Sequence, residues 1–353
     1  MFNMKKSWWK ILGVALLLYS FIFGLLMPLK PGIYAVTPDS VVTGKTSEIQ
    51  IEGYNTHFTQ ASESIKVWLK LNDTFALMAN KIKVLDDMTL IASFDIPLQL
   101  PKQRIQNTTL VLEHAVDGAS VSPSAVTLSQ KADRITTIAP AWTAHPIAGL
   151  TIVNKFSFPF RNILYETIRN LYFHVSLWLA MMILFIASVV MSFKHLRSGK
   201  PEDDWKSLSL TSAGTLMGFL GLFTGMIWAQ YTWGSFWPKG EVKLNMTAVA
   251  LLIYLAYFVL RGSLENPEQR GRIASVYNIF AFAALIPLLY VVPRLVSSLH
   301  PGNGGNPAFG SDDLDNTMRA VFYPAVIGWT LLGVWMGSIM YRAIALKDKL
   351  LSR

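Results

Sequence analysis

Between Ile227 and Gly240 the chain reads IWAQYTWGSFWPKG, which places Trp228, Trp233 and Trp237 beside Tyr231 and Phe236. Flat rings at this density offer a large apolar face to an extended planar ligand. His174 and His300 each stand at the edge of an apolar run. Imidazole is the commonest side-chain metal ligand and a regular axial ligand of haem iron. Two imidazoles flanking one aromatic slab suit a haem, with Lys239, Lys243, Arg294 or Arg169 available to its propionates through charge-assisted hydrogen bonds. The same residue types have plainer uses. Trp and Tyr gather at membrane interfaces, a histidine at a helix end is often just solvated, and Lys and Arg near helix ends snorkel. Residue type alone leaves both readings standing, so the elements that carry these side chains have to be placed.

The composition places them in a membrane. Hydrophobic residues make up 52% of the 353 and charged residues only 15%, and the mean hydropathy is +0.37. Six apolar runs meet or approach the length of a membrane-spanning helix. They are Ile11–Leu29, Val175–Phe193, Ser207–Pro238, Leu244–Leu260, Ile273–Pro293 and Ala320–Tyr341. The net charge of +9 is placed for topology and gives no reason to expect nucleic acid. Lys5, Lys6 and Lys10 precede the first run, and Lys194, Arg197, Lys200 and Lys206 follow the second. Arg261, Arg270 and Arg272 follow the fourth, and Arg342, Lys347, Lys349 and Arg353 the sixth. If the spans alternate, all of these lie on one side, which the positive-inside rule makes cytoplasmic. Both termini are then cytoplasmic, and His174, the tryptophan-rich stretch and His300 share the outer face.

With no cysteine in the chain, thiolate ligation, CxxC redox chemistry and covalent c-type haem attachment are excluded here. The first apolar run lacks a small-x-small cleavage site before MPLKPG and reads as a retained signal anchor. The spans carry no charged residue well inside them, which argues against a small-solute transporter, and no histidine.

From Pro31 to Pro146 the pattern changes. SEIQIEGYN, SIKVWLKL, KIKVLDDMTLIASFDI and NTTLVLEHAV alternate with period two between turn residues. About seven short strands over roughly 100 residues suggest an immunoglobulin-like sandwich. The fold expected is therefore a polytopic helical membrane protein of six spans with an inserted extracytoplasmic β-sandwich. Its divisions are a first span over 1–30, the β domain over 31–150, an amphipathic interfacial linker helix over 151–173 and a five-helix membrane domain over 174–353. HPGNGGNPAFGSDDLDN, from His300 to Asn316, reads as an external loop.

At the histidines and tryptophans the chain is similar to the haem-handling family of cytochrome c biogenesis, CcmC and its relative CcsA, and most to CcmC. That family carries W-G-x-x-W-x-W-D between two spans, flanked by histidines. LFTGMIWAQYTWGSFW resembles the motif through Trp233, Gly234 and Trp237, with Trp228 upstream. RNLYFHVSLW and LVSSLHPG resemble the segments bearing His174 and His300. The match is incomplete: Pro238, Lys239 and Gly240 stand where x-Trp-Asp is expected, and Glu241 comes one place late. The resemblance implies a non-enzymatic protein of the bacterial inner membrane that holds haem b transiently and non-covalently at its periplasmic face. His174 and His300 would be the axial ligands, and Trp228, Trp233, Gly234, Phe236 and Trp237 the platform. It also implies delivery to a periplasmic haem chaperone resembling CcmE, beside ABC transporter subunits resembling CcmA and CcmB. A CcsA-type cytochrome c synthetase component is the alternative; such relatives have more spans and further histidines within them.

Overall fold

The computed structural model describes residues 4–101, 103–130, 139–153, 156–162, 164–296, 298–300 and 314–351. The chain forms two compact units, one of residues 28–165 and one that joins 1–27 to 166–353. The loop expected beyond His300 falls mostly outside the described residues.

The second unit is helical. Its helices are α1 (Met4–Leu26), α2 (His174–Ser198), α3 (Pro201–Trp233), α4 (Val242–Gly262), α5 (Pro267–Ile286), α6 (Val292–Leu295) and α7 (Asn316–Leu351). Among the described residues six spans, one of them with a π turn over Pro287–Val291 joining α5 to α6, are long and apolar enough to cross a membrane, making this a multipass membrane protein. Local chemistry sets the ends. α3 starts with Pro201 after an extended Lys200, carries Glu202, Asp203 and Asp204 in its first turn, and stops at Gly234 with φ 74°. α5 begins at Asn266, whose side chain accepts from the N–H groups of Glu268 and Gln269.

Several helices outrun their apolar stretches. α2 carries His174 at its first position and the buried His195 near its last, so both histidines belong to a span whose apolar run contains neither. A linker helix was expected over 151–173, leading into α2. Instead a 3-10 helix covers Tyr165–Tyr172, entered through Tyr165 at φ 48°, a conformation that an α-helix cannot propagate through.

Packing between α2 and α3 uses small residues, the usual device where lipid removes the hydrophobic drive for helix pairing. A Cβ on Gly214, Gly221 or Gly225 would lie 2.7 Å from Phe185, 2.9 Å from Trp178 and 2.6 Å from His174, respectively. Deeper in the bundle Asn278 donates to the hydroxyls of Ser188 (2.6 Å) and Ser192 (3.0 Å), which in turn pair with Thr211 (2.9 Å) and Ser207 (2.8 Å). Such a closed polar set ties α2, α3 and α5 together without leaving the amide donors unsatisfied in an apolar surrounding.

The other unit is all-β. A four-stranded sheet runs β1 (Gly32–Thr37), β3 (Thr46–Tyr54), β7 (Thr89–Asp95), β6 (Lys81–Val84). A five-stranded sheet runs β2 (Ser40–Val42), β9 (Gly118–Ser129), β8 (Ile105–His114), β4 (Lys66–Lys70), β5 (Ala76–Met78). All pairs are antiparallel except β2 with β9. Alternate residues of both sheets, among them Ile49, Ile51, Phe94, Val67, Leu110 and Val126, form one buried core, the outcome expected of period-two patterning.

One buried carboxylate organises the turns of this unit. Asp117 accepts from the His57 backbone N–H (2.8 Å), the His57 ring (2.9 Å) and the His114 ring (2.8 Å), while His114 Nε2 reaches the Gln60 carbonyl at 2.6 Å. Burial works to raise the Asp117 carboxyl, but its hydrogen bonds and the neighbouring His114 hold it below the ordinary carboxylate range. A depressed folded value means stability present above the unfolded value and lost as pH falls through the folded one. Thermal melts of the intact protein should therefore show the β unit weakening below about pH 4. Asp117→Asn should melt lower at pH 7 and show a flatter acid limb. A variant with the wild-type acid limb would assign that limb to other carboxylates, such as Asp87, which Thr59 holds down.

Candidate functional site

At the end of the helical unit where α2 begins and α3 finishes lies an open cavity of about 180 Å³. Its walls carry His174, Trp178, Trp228, Trp233, Tyr290 and His300, with Lys243 and Arg294 as the cations. The two histidines and two of the tryptophans marked from sequence thus meet on one space. Trp228 and Trp233 pack edge to face at 4.8 Å between ring centroids, and the His300 ring lies 5.8 Å from Trp228 and 6.4 Å from Trp233.

His174 is held in a defined state. Its Nδ1 lies 2.8 Å from the Gly221 carbonyl, which can only accept, so Nδ1 carries the proton and Nε2 keeps its lone pair. A metal-ligating histidine is oriented in this way. Gly225 makes room for the ring, and Trp178, one turn further along α2, stands edge-on to it at 6.1 Å.

His300 is held differently. Lys243 Nζ lies 3.2 Å from its Nδ1. The backbone N–H of His300 donates to the Ser298 hydroxyl at 3.1 Å.

The remaining expected residues lie elsewhere. Gly234 caps α3 at φ 74°, a conformation that suits glycine, and the chain turns away there. Phe236 (54% exposed) and Trp237 (37% exposed) consequently fall outside the cavity walls, and the Trp237 indole donates to Asn245 at 3.0 Å. Of the four cations considered for propionates, Lys243 and Arg294 line the cavity and Lys239 does not. Arg169 instead donates to the carbonyls of Gly24 (3.0 Å) and Met27 (2.7 Å) at the end of α1. Sequence reading missed Trp178 and Tyr290. Trp178 was findable, because it stands four residues after His174 and so shares its helix face; Tyr290 arrives through the π turn, which no local pattern announced.

A family model described as heme exporter protein C matches residues 124–352. The chain belongs to the heme exporter protein C family. Relatives carrying that name are found in Bradyrhizobium diazoefficiens (25% identical over 173 residues) and Paracoccus denitrificans (24% over 166). A third, in Haemophilus influenzae, is 21% identical over 141 residues. These alignments cover 48%, 47% and 40% of this chain and 63%, 68% and 56% of the relatives. The cavity walls fall within the heme exporter protein C match, whereas α1 and strands β1 to β8 precede it.

Proposed function

We propose that this protein is a haem-handling membrane component of cytochrome c maturation. It holds haem b non-covalently in the cavity between His174 and His300 and releases it to a haem chaperone resembling CcmE. The observation that carries this reading is the meeting of two imidazoles with Trp228 and Trp233 on one open, mostly apolar space. His174 offers the Nε2 lone pair to iron, the indoles offer apolar contact to the macrocycle, and Lys243 and Arg294 neutralise carboxylates at its rim. With no cysteine to attach it, the haem is held non-covalently and can be released. The protein is a carrier and catalyses no turnover.

The basic residues at the ends of α2, α4 and α7 support a topology with those ends in the cytoplasm and the cavity at the periplasmic face of a bacterial inner membrane. ABC transporter subunits resembling CcmA and CcmB complete the assembly. The β unit is immunoglobulin-like: the orders β1-β3-β7-β6 and β9-β8-β4 parallel the ABED and GFC sheets of such domains. Its place is the periplasm, where it docks a partner.

The test is a hemin titration of the detergent-purified protein, followed by absorption spectra of the oxidised and reduced forms. Wild type should give a low-spin, two-ligand spectrum. His174→Ala and His300→Ala should each abolish it and weaken binding by at least the roughly 10- to 100-fold that outer partners of metal ligands are worth. Spectra unchanged in both variants would sink the proposal.

A further inference from the structure

Resting on the haem-holding reading, we infer that Glu241 is the positioning residue that presents His300 to the cavity. Glu241 precedes α4 and is 2% exposed. Its Oε1 accepts from the Lys243 backbone N–H (3.1 Å) and from the Ser298 hydroxyl (2.6 Å), and its Oε2 accepts from the Leu299 N–H (2.9 Å). Ser298 passes the hold on by accepting from the His300 N–H. One carboxylate thus seals the start of α4 and at the same time grips the two residues immediately before His300.

The choice of residue supports a second task. A helix N-cap needs only a short acceptor, and Ser, Thr, Asp or Asn serve best. The additional methylene of Glu gives the reach to engage a helical N–H and a distant segment together. Burying a carboxylate is costly unless hydrogen bonds and a favourable field offset it. Here two backbone N–H groups, a hydroxyl and the positive end of the α4 dipole do so. The segment it holds lies past the end of α6, with Val296 already extended, so no helix fixes the direction of His300. Lys243, two residues after Glu241, adds its contact to His300 Nδ1. The N-terminus of α4 therefore touches Ser298, Leu299 and His300 in succession.

The experiment uses the full-length protein in detergent with Glu241→Ala, Glu241→Gln and Ser298→Ala. Without haem, hydrogen exchange over 294–300 should speed up by about tenfold or more in Glu241→Ala, the loss expected for hydrogen bonds to a charged acceptor. On hemin titration that variant should shift from the two-ligand to a one-ligand spectrum, as His300→Ala does, while haem stays bound through His174. Glu241→Gln keeps an acceptor for the α4 cap, so it remains informative if the alanine variant does not fold; it should lose part of the protection and part of the low-spin signature. Ser298→Ala should do the same without touching the cap. Wild-type exchange in Glu241→Ala or, failing its purification, in both other variants would overturn the inference. So would lost protection with the two-ligand spectrum intact. Failure of the haem reading is recognised separately, by a wild type that shows no two-ligand spectrum, and the exchange measurement would then still decide whether Glu241 holds this segment.

Discussion

Arg261→Met is expected to destabilise the protein by about 3–5 kcal/mol, the usual cost of removing one partner from a buried ion pair. Arg261 (9% exposed) and Asp204 (6% exposed) meet fork to fork, Nη1 to Oδ1 at 2.7 Å and Nη2 to Oδ2 at 2.5 Å, joining the last turn of α4 to the first turn of α3. The surroundings leave little space for water to replace the lost partner. A Cβ on Gly271 of α5 would lie 3.3 Å from the Asp204 carboxyl carbon and 2.7 Å from His195 Nε2. Methionine restores volume but no charge, so the carboxylate stays buried without its counter-ion. Asp204→Leu combined with Arg261→Met should recover most of the loss, because an apolar pair of similar size leaves no charge unpaired. Thermal unfolding of the purified single and double variants decides the point. A single variant melting with the wild type would mean that water or another group reaches the carboxylate; a double variant as weak as the single would mean that shape, and not charge, is what matters.

The second large effect is expected at Gly225. An alanine there would place its Cβ 2.6 Å from His174 Cε1 and 3.2 Å from Nδ1, closer than van der Waals contact allows. The ring is the part that must move, since Gly225 lies within α3 and its backbone is fixed by the helix. Moving it breaks the Nδ1 hydrogen bond to Gly221 that sets the tautomer and aim of Nε2. The expected result is a protein that still folds, at an overpacking cost of about 1–3 kcal/mol, but has the hemin spectrum of His174→Ala. Gly262→Ala is the control, because nothing lies within 4 Å of the Cβ it would add. A Gly225→Ala protein with the wild-type two-ligand spectrum would show that His174 does not act from this position.

These two sites also show how far a one-dimensional reading reaches. Trp228 and Trp233 were visible in sequence as aromatic rings near the end of an apolar run, and so were Phe236 and Trp237. Only the first two face the cavity, because α3 stops at Gly234 and the residues after it leave on another path. Composition registers how many rings are near the membrane surface, but the helix cap decides which of them share a face. Lys243 and Lys239 were equal candidates for the same reason. Lys243 lies inside α4 and is aimed by its helical turn, whereas Lys239 lies in the connection before it.

Asp204 and Arg261 were legible only as charges flanking spans, 57 residues apart. Glu241 was legible as an acidic residue one place late in a motif. Its role depends on Ser298 and Leu299, which approach from the far end of another helix. No local pattern encodes such a meeting, because it is set by how helices of unequal length pack.

By itself the sequence determined the features that transfer free energies and short-range geometry control. Uncharged runs of sufficient length must become helices in lipid, since every backbone group has to be satisfied within its own segment. Period-two segments must pair as strands to bury one face, and helix ends obey their prolines, asparagines and glycines. Which side chains converge was decided by the tertiary structure. Glycines on α3 let α2 approach closely enough to aim His174, and a carboxylate before α4 captures the segment that bears His300. Convergence of that kind depends on contacts between residues far apart in the chain, whose geometry is defined only after the helices have packed.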